Sequence, residues 1–549
     1  MKIRNTVRPE NGAMTPMPLR GAPRRGILKK TRRLRGIVMA IGIVGLAAVP
    51  ARVQQRAREV PPETREILAA SRIADAAARL KELERIKAAY PQSSRMPRIE
   101  GFIFEAKVEL AGTLEAVLAL QKSIVGRGQG SSRMTSYVQA ALRVLDHPGF
   151  KTFDKPAVLA AVLGYRDGAA KAAAEPETFV SMPEKQEQEA FASFTLRAFD
   201  LLVARAQANA GDGVKALAAI ERFKAAGGDT DAEFLAVLGD AYAALGRSED
   251  AYGAYLGAAV ENYGGAADKA KTMYLEIHGS VQGFEARLET LHKALPFLPQ
   301  TFTPAKSWQG KAVLAEIFTG AECPPCVAAE LGFGGLIDAY PAQYLAILEY
   351  HLPIPRPDPM MNPATRKRQD YYGINGAPIV VIDGDIKIFG GGARNTAKEK
   401  FRQYKAAIDS RVNTAPGLKL EVKAARAGDA VKADIRLNKT VPGAEYFVVL
   451  VQGEERYKGS SGTVFHKLVV RDIVSIDPVV SKTATFDLVA SERAADAYLT
   501  EVEKTYARMP DFKFAERRSR IARDGLQVVV FAQDTATKSV LNAVVGDVK

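Results

Sequence analysis

From about Pro62 to Leu298, apolar positions recur at intervals of three and four, as in "PETREILAASRIADAAARLKELERIKAAY", which opens with an acidic first turn. That period predicts amphipathic helices, and the stretch is rich in the helix formers Ala, Leu, Glu and Lys. Proline and threonine in "ALPFLPQTFTPAKSW" then break the pattern and predict a linker over 299–310. Between 311 and 413 short apolar runs alternate with helical segments. "KAVLAEIF" and "YLAILEYHL" predict buried strands, and "CPPCVAAELGFGGLIDAY" and "NPATRKRQDYYGI" predict helices. "APIVVIDGDIKIFG" predicts two strands joined by an Asp-Gly turn, and "NTAKEKFRQYKAAIDSRV" a closing helix. From 414 to 549 the period falls to two, and seven short strands run from "GLKLEVKAAR" to "KSVLNAVVG" around the helical insertion "SERAADAYLTEVEKTYARM". This last pattern predicts an antiparallel β-sandwich with a helical insertion.

The helical stretch contains an internal repeat. An offset of 35 residues superposes Phe199 on Phe234, Ala206 on Ala241, Gly211 on Gly246 and Ala216 on Ala251. Within 232–265, Gly239, Tyr242, Gly246, Ala251, Tyr255 and Ala258 fall at the spacings of a tetratricopeptide repeat, which residues 197–230 also resemble. The resemblance implies that 62–298 is a helical solenoid whose concave face takes peptides or partner proteins. In it, small residues such as Gly239 and Ala251 let paired helices approach closely.

Charge changes the picture at the N-terminus. The net charge of +14 invites a nucleic-acid reading, but the first 36 residues hold eleven Lys/Arg against one acid, Glu10, and so carry ten of those charges. The nearly neutral remainder lacks the electrostatic footprint of a DNA-binding surface. "KKTRRLRG" instead runs into the 13 apolar or glycine residues "IVMAIGIVGLAAV" and then "PAR", the layout of an export signal over residues 1–51. The apolar run is shorter than the ~20 residues that span a bilayer, so no membrane span is expected after cleavage. The expected location is exported, periplasmic or at the cell surface.

Export sharpens the meaning of the only two cysteines, Cys323 and Cys326, three positions apart in "AECPPCVAAE". An exported chain commonly uses distant cysteine pairs as staples, and here none exists. Half a zinc site would need two more ligands, and the five histidines, His147, His278, His292, His351 and His466, show no paired spacing. A redox pair makes other demands. Cys323 falls where a strand gives way to a helix, so that free backbone amides and the helix dipole favour a thiolate. Pro324 suits a first helical turn, and Cys326, one turn on, can close a small disulfide ring.

With the element order β-α-β-α-β-β-α, the cysteine pair and Pro378 in "GINGAPIVVID", residues 311–413 resemble the thioredoxin superfamily. The resemblance implies a thiol–disulfide oxidoreductase acting on protein disulfides. It places a cis-proline at Pro378 opposite the pair, with the backbone of Ala377 open to a substrate strand, and Pro324 and Pro325 at the contact surface. It also implies a buried carboxylate in the strand before the motif. The candidate is Glu316, one residue further from Cys323 than the family's position. Strand alternation puts Glu316 on the face of Leu314 and Phe318, where apolar company raises a carboxyl pKa and suits it to deprotonate Cys326. Two departures, Glu322 before the first cysteine and Pro325 between the pair, remove support for a thiolate and predict a reductase or isomerase rather than a strong oxidant.

No flavin or nicotinamide motif is visible, so no cofactor is expected and a separate thiol donor must recharge the pair. The glycine-rich "FGGGARN" follows a hairpin strand without phosphate-loop spacing and reads as a turn. Two other readings stand beside the enzyme: a protein-interaction scaffold with a thioredoxin-like module, and a copper carrier through the two thiolates.

Overall fold

Helices fill the first half of the chain, and five of them begin on a side chain that caps the first turn. The structure, a computed structural model, describes residues 62–506 and 512–549; the expected export signal lies outside them. In the helical N-terminal region run α1 (Pro62–Ala70), α2 (Ala76–Ala89), α3 (Met96–Glu109), α4 (Leu114–Gln121), α5 (Ser132–Leu145) and α6 (Lys155–Ala172). They are followed by α7 (Lys185–Asn209), α8 (Gly213–Ala225), α9 (Ala232–Ala244), α10 (Ser248–Val260), α11 (Ala266–His278) and α12 (Phe284–Lys293). Asp75, Thr113, Asp154, Asp212 and Asp231 each accept a hydrogen bond from the backbone N–H three residues on. The 35-residue repeat is a pair of helix hairpins, α7–α8 and α9–α10, whose turns use Gly211 at φ +84° and Gly246 at φ +69°. At Gly239 an added Cβ would fall 2.5 Å from the Tyr255 ring, so the close approach of α9 and α10 requires glycine.

A mixed-sheet region follows. Its strands are β1 (Val313–Thr319), β2 (Leu345–His351), β3 (Ile379–Ile382), β4 (Ile386–Phe389), β5 (Leu420–Ala427), β6 (Ala430–Leu437), β7 (Ala444–Arg456), β8 (Phe465–Ile476), β9 (Thr483–Asp487), β10 (Leu526–Asp534) and β11 (Val540–Asp547). Its helices are α13 (Val327–Ala339), α14 (Pro363–Tyr372), α15 (Ala397–Asp409) and α16 (Leu488–Thr505). Strands β1 and β2 are parallel, with Val313 opposite Leu345 and Thr319 opposite His351. β3 and β4 form an antiparallel hairpin whose turn residues Asp383 and Gly384 sit at φ 51° and 81°. The connection is three residues long, Asp383 to Asp385, and its first two residues take positive φ, which an Asp-Gly pair tolerates.

The C-terminal strands lie in two sheets packed face to face, and one of these sheets continues into the strands that precede residue 414. One sheet has eight strands in the order β11-β10-β7-β8-β2-β1-β3-β4, and the other has three, β5-β6-β9. The two halves of the large sheet meet at a parallel contact in which Glu349 of β2 faces Val469 of β8. The large sheet curls so far that its two ends touch: the Val540 N–H donates to the Asp383 carbonyl at 2.9 Å. Its concave face encloses one apolar core, with Phe318, Tyr350, Val381, Phe447, Val470 and Phe531 packed around α14. The opposite face carries α13 and α15 against β1–β3, and the three-stranded sheet against β7 and β10.

Candidate functional site

β1 ends at Thr319, and four residues later Cys323 occupies extended backbone before the single 3-10 turn Pro324–Cys326 that leads into α13. The Cys326 N–H donates to the Cys323 carbonyl at 2.8 Å. The two sulfurs are joined in a disulfide with the Cα atoms 5.3 Å apart. Both cysteines are 0% exposed, whereas Pro324 and Pro325 between them are exposed. Across from the pair, the Ala377–Pro378 peptide is cis, and the carbonyl oxygen of Ala377 lies 4.0 Å from Sγ of Cys323. Ala377 is half-buried and Pro378 buried. Six of the seven residues singled out from the sequence, Cys323, Pro324, Pro325, Cys326, Ala377 and Pro378, therefore gather in one place.

Glu316, the seventh, is elsewhere. It is buried on the face predicted by alternation, but its company is not apolar. The Arg368 guanidinium donates to both its carboxylate oxygens, Nε to Oε1 at 3.0 Å and Nη2 to Oε2 at 2.8 Å. The Tyr372 hydroxyl donates to Oε2 at 2.6 Å. All three groups belong to the concave core around α14, while Cys326 leads α13 on the opposite face. The expected apolar pocket for this carboxylate is corrected to a buried ion pair.

Two loops back the disulfide turn. The Gly392 N–H donates to the Pro325 carbonyl at 2.8 Å, and the Ala328 N–H donates to the Gly392 carbonyl at 3.2 Å. A Cβ on Gly391 would fall 1.7 Å from the Pro325 oxygen and 2.9 Å from Cγ of Pro378. The glycine run 390–392 is thus a turn pressed between the two halves of the site. From the other side comes the β7–β8 connection. The Ser461 N–H donates to the Ala321 carbonyl at 2.8 Å, and the Tyr457 hydroxyl donates to Glu322 at 3.0 Å. Burial, and then the Glu322 carboxylate, push the Tyr457 phenol pKa up.

No family model, curated protein or solved structure matches the chain. What the site can do must therefore be argued from its own atoms.

Behind the disulfide turn lies a second polar group, which no motif announced. Asp358 accepts the Ala321 N–H at 2.6 Å and the Met360 N–H at 2.8 Å, and its Oδ2 is 2.9 Å from Nδ1 of His351. His351 Nε2 stands 2.9 Å from Oε1 of Glu349, and His466 Nδ1 stands 3.5 Å from the same oxygen. His466 Nε2 is 3.0 Å from the Tyr457 carbonyl. Glu330, on α13, accepts the Thr319 hydroxyl at 2.5 Å. All five side chains are buried. Burial pushes the Glu330 carboxyl pKa up. For His351 burial works against the charged form, but Asp358 and Glu349 outweigh it and raise the pKa to about 10. Sequence spacing hid this group because its members come from α13, β2, β8 and the loop before α14.

Proposed function

We propose that the protein is an exported thiol–disulfide oxidoreductase of thioredoxin type, working as a reductase or isomerase on protein disulfides through Cys323 and Cys326. The observation that carries this reading is the joined pair at a helix start, with Sγ of Cys323 4.0 Å from the Ala377 carbonyl. A substrate strand lying against Ala377 would bring its own sulfur to Cys323.

In the dithiol form, the Cys323 thiolate attacks one sulfur of a substrate disulfide. An S–S bond forms between enzyme and substrate as the substrate's own S–S bond breaks, and the departing substrate thiolate takes a proton. The Cys326 thiolate then attacks Sγ of Cys323, closing the internal disulfide and releasing the second substrate thiol. Two electrons pass from the pair to the substrate, and a separate dithiol donor returns them. The exposed prolines 324 and 325 and half-buried Ala377 form the approach. Glu316 has no proton-transfer part here, since Arg368 holds both its oxygens. The helical repeats, as a solenoid, would recruit or position protein substrates.

Insulin reduction followed by turbidity tests the reading. The purified chain should accelerate precipitation over dithiothreitol alone, Cys323→Ser should abolish the gain, and Cys326→Ala should accumulate a mixed disulfide. Equal rates for the wild type and Cys323→Ser would leave only a scaffold. The reduction potential should lie below about −150 mV, away from the ~−120 mV of a strong oxidant.

A further inference from the structure

The buried group behind the disulfide turn has the arrangement of a metal centre. One donor atom each from Glu349, His351 and His466 lie within 4.8 Å of one another, and all three residues are buried. The outer shell is already in place. A metal-ligating histidine almost always donates its other ring N–H to a carboxylate or backbone carbonyl, which fixes the tautomer and aims the free nitrogen. His351 has Asp358 at Nδ1, and His466 has the Tyr457 carbonyl at Nε2. The nitrogens left over, His351 Nε2 and His466 Nδ1, both stand close to Oε1 of Glu349.

His351 Nε2 and His466 Nδ1 reach Glu349 Oε1 as ion-pair contacts at 2.9 and 3.5 Å, but neither contact has the geometry of a hydrogen bond. His351 Nε2, His466 Nδ1, Glu349 Oε1 and Glu330 Oε2 are all buried and without a hydrogen-bond partner. Leaving a buried polar atom unpaired costs roughly 1–3 kcal/mol, more for a charged one, and native interiors hold few of them. Three of these atoms, from His351, His466 and Glu349, converge on one place and are explained together if they share a cation. A cavity of about 40 Å³ is lined by Glu330, Glu349 and His466, against the ~10–15 Å³ needed for one water.

We propose that Glu349, His351 and His466, with Glu330 as fourth donor, bind one divalent transition-metal ion of the zinc class. Two imidazoles and two carboxylates form a donor set suited to such an ion, and the two carboxylates balance its charge. Its place in the fold gives it a structural task. The halves of the large sheet meet where Glu349 faces Val469, and the ion would tie β2 to β8 and both to α13 at that seam. This site does not depend on the redox reading, and the cysteines are not among its donors.

The test uses the full chain with its disulfide closed, so that thiolates cannot compete, stripped by a chelator and titrated with Zn²⁺ and Co²⁺. One ion per chain is expected, with a Co²⁺ spectrum that has d–d bands of low symmetry but no thiolate charge-transfer band. The chelator should lower the melting temperature and Zn²⁺ should restore it. Asp358→Asn, which touches only the outer shell, should weaken binding by about 10–100-fold, and His466→Ala should abolish it. A Cys323→Ser, Cys326→Ser double variant should still bind one ion. Absence of stoichiometric binding to the oxidised wild type, or full affinity in a folded His466→Ala protein, would overturn the proposal. If His466→Ala fails to fold, unchanged affinity in Asp358→Asn overturns it instead.

Discussion

Glu316 and Arg368 form an ion pair at 2.8 Å with side chains 0% and 1% exposed. The guanidinium is also held by aromatic faces, its carbon 4.7 Å from the Tyr372 ring centre, 5.1 Å from Phe447 and 5.2 Å from Phe531. Its Nη1 donates to the side-chain oxygen of Gln533 at 3.0 Å, so one side chain links α14 to β1 and to β10. Removing one partner of such a pair strands a charge in the core, whereas replacing both with apolar groups need not. Glu316→Gln should therefore cost about 3–5 kcal/mol in urea denaturation. The Glu316→Leu, Arg368→Met double variant should cost less than the sum of its single changes. Insulin reduction per folded Glu316→Gln molecule should match wild type, and a large drop would return Glu316 to the chemistry. Strand alternation was enough to read the burial of Glu316, because Leu314 and Phe318 flank it. Its partner was illegible: Arg368 lies in "TRKRQD", whose charge density reads as a solvated helix face. His351 and His466 were hidden for a different reason, since only tertiary pairing brings β2 beside β8.

Turns, at the scale of elements, decide how the site is held. Gly391 and Gly392 belong to a stretch legible as a turn, but no local signal says what the turn presses against. The structure supplies it, with the Pro325 carbonyl on one side and Pro378 on the other. Gly391→Ala places a methyl group where both already stand, so the disulfide turn and the Ala377–Pro378 loop must part. Overpacking of this kind costs about 1–3 kcal/mol. The expected readout is a lower melting temperature together with slower insulin reduction. Gly253→Ala, inside α10 with nothing within 4 Å of an added Cβ, should leave reduction unchanged and raise stability by about 0.5–1 kcal/mol, alanine being the better helix former. Loss of stability with full reduction rate in Gly391→Ala would mean that the turn supports the fold but not the site. Elements themselves were largely readable. The seven strands expected after residue 414 are β5 to β11, and the insertion is α16, because period-two alternation is a local property. Which strand pairs with which is not local, and no signal in the sequence announced that β8 pairs with β2.

For the whole molecule, the consequence lies in the seam between β2 and β8. Residues 311–413 contain a full set of elements for an independent unit, and the change from helical to period-two patterning near 414 encourages cutting there. The structure argues against it. Without the strands after 414, β2 becomes an unpaired sheet edge, and the core shared by Phe318, Tyr350, Phe447 and Phe531 loses half its members. Arg368 would keep Glu316 but lose Gln533, and Lys311, whose amine donates to the Val540 carbonyl at 2.5 Å, would lose that acceptor. An exposed apolar edge strand is a template for aggregation. A chain ending at residue 413 should therefore be insoluble or lack a cooperative unfolding transition. In the intact chain, the 311–413 and 414–549 segments should unfold together, followed by hydrogen exchange with mass spectrometry under rising denaturant. A soluble, cooperatively folding chain ending at 413 would show that the C-terminal strands are an appendage. Concerted exchange across residue 414 would instead make them the second half of one sheet, and would explain why the disulfide turn takes its backing from Tyr457 and Ser461, far along the chain from the cysteines.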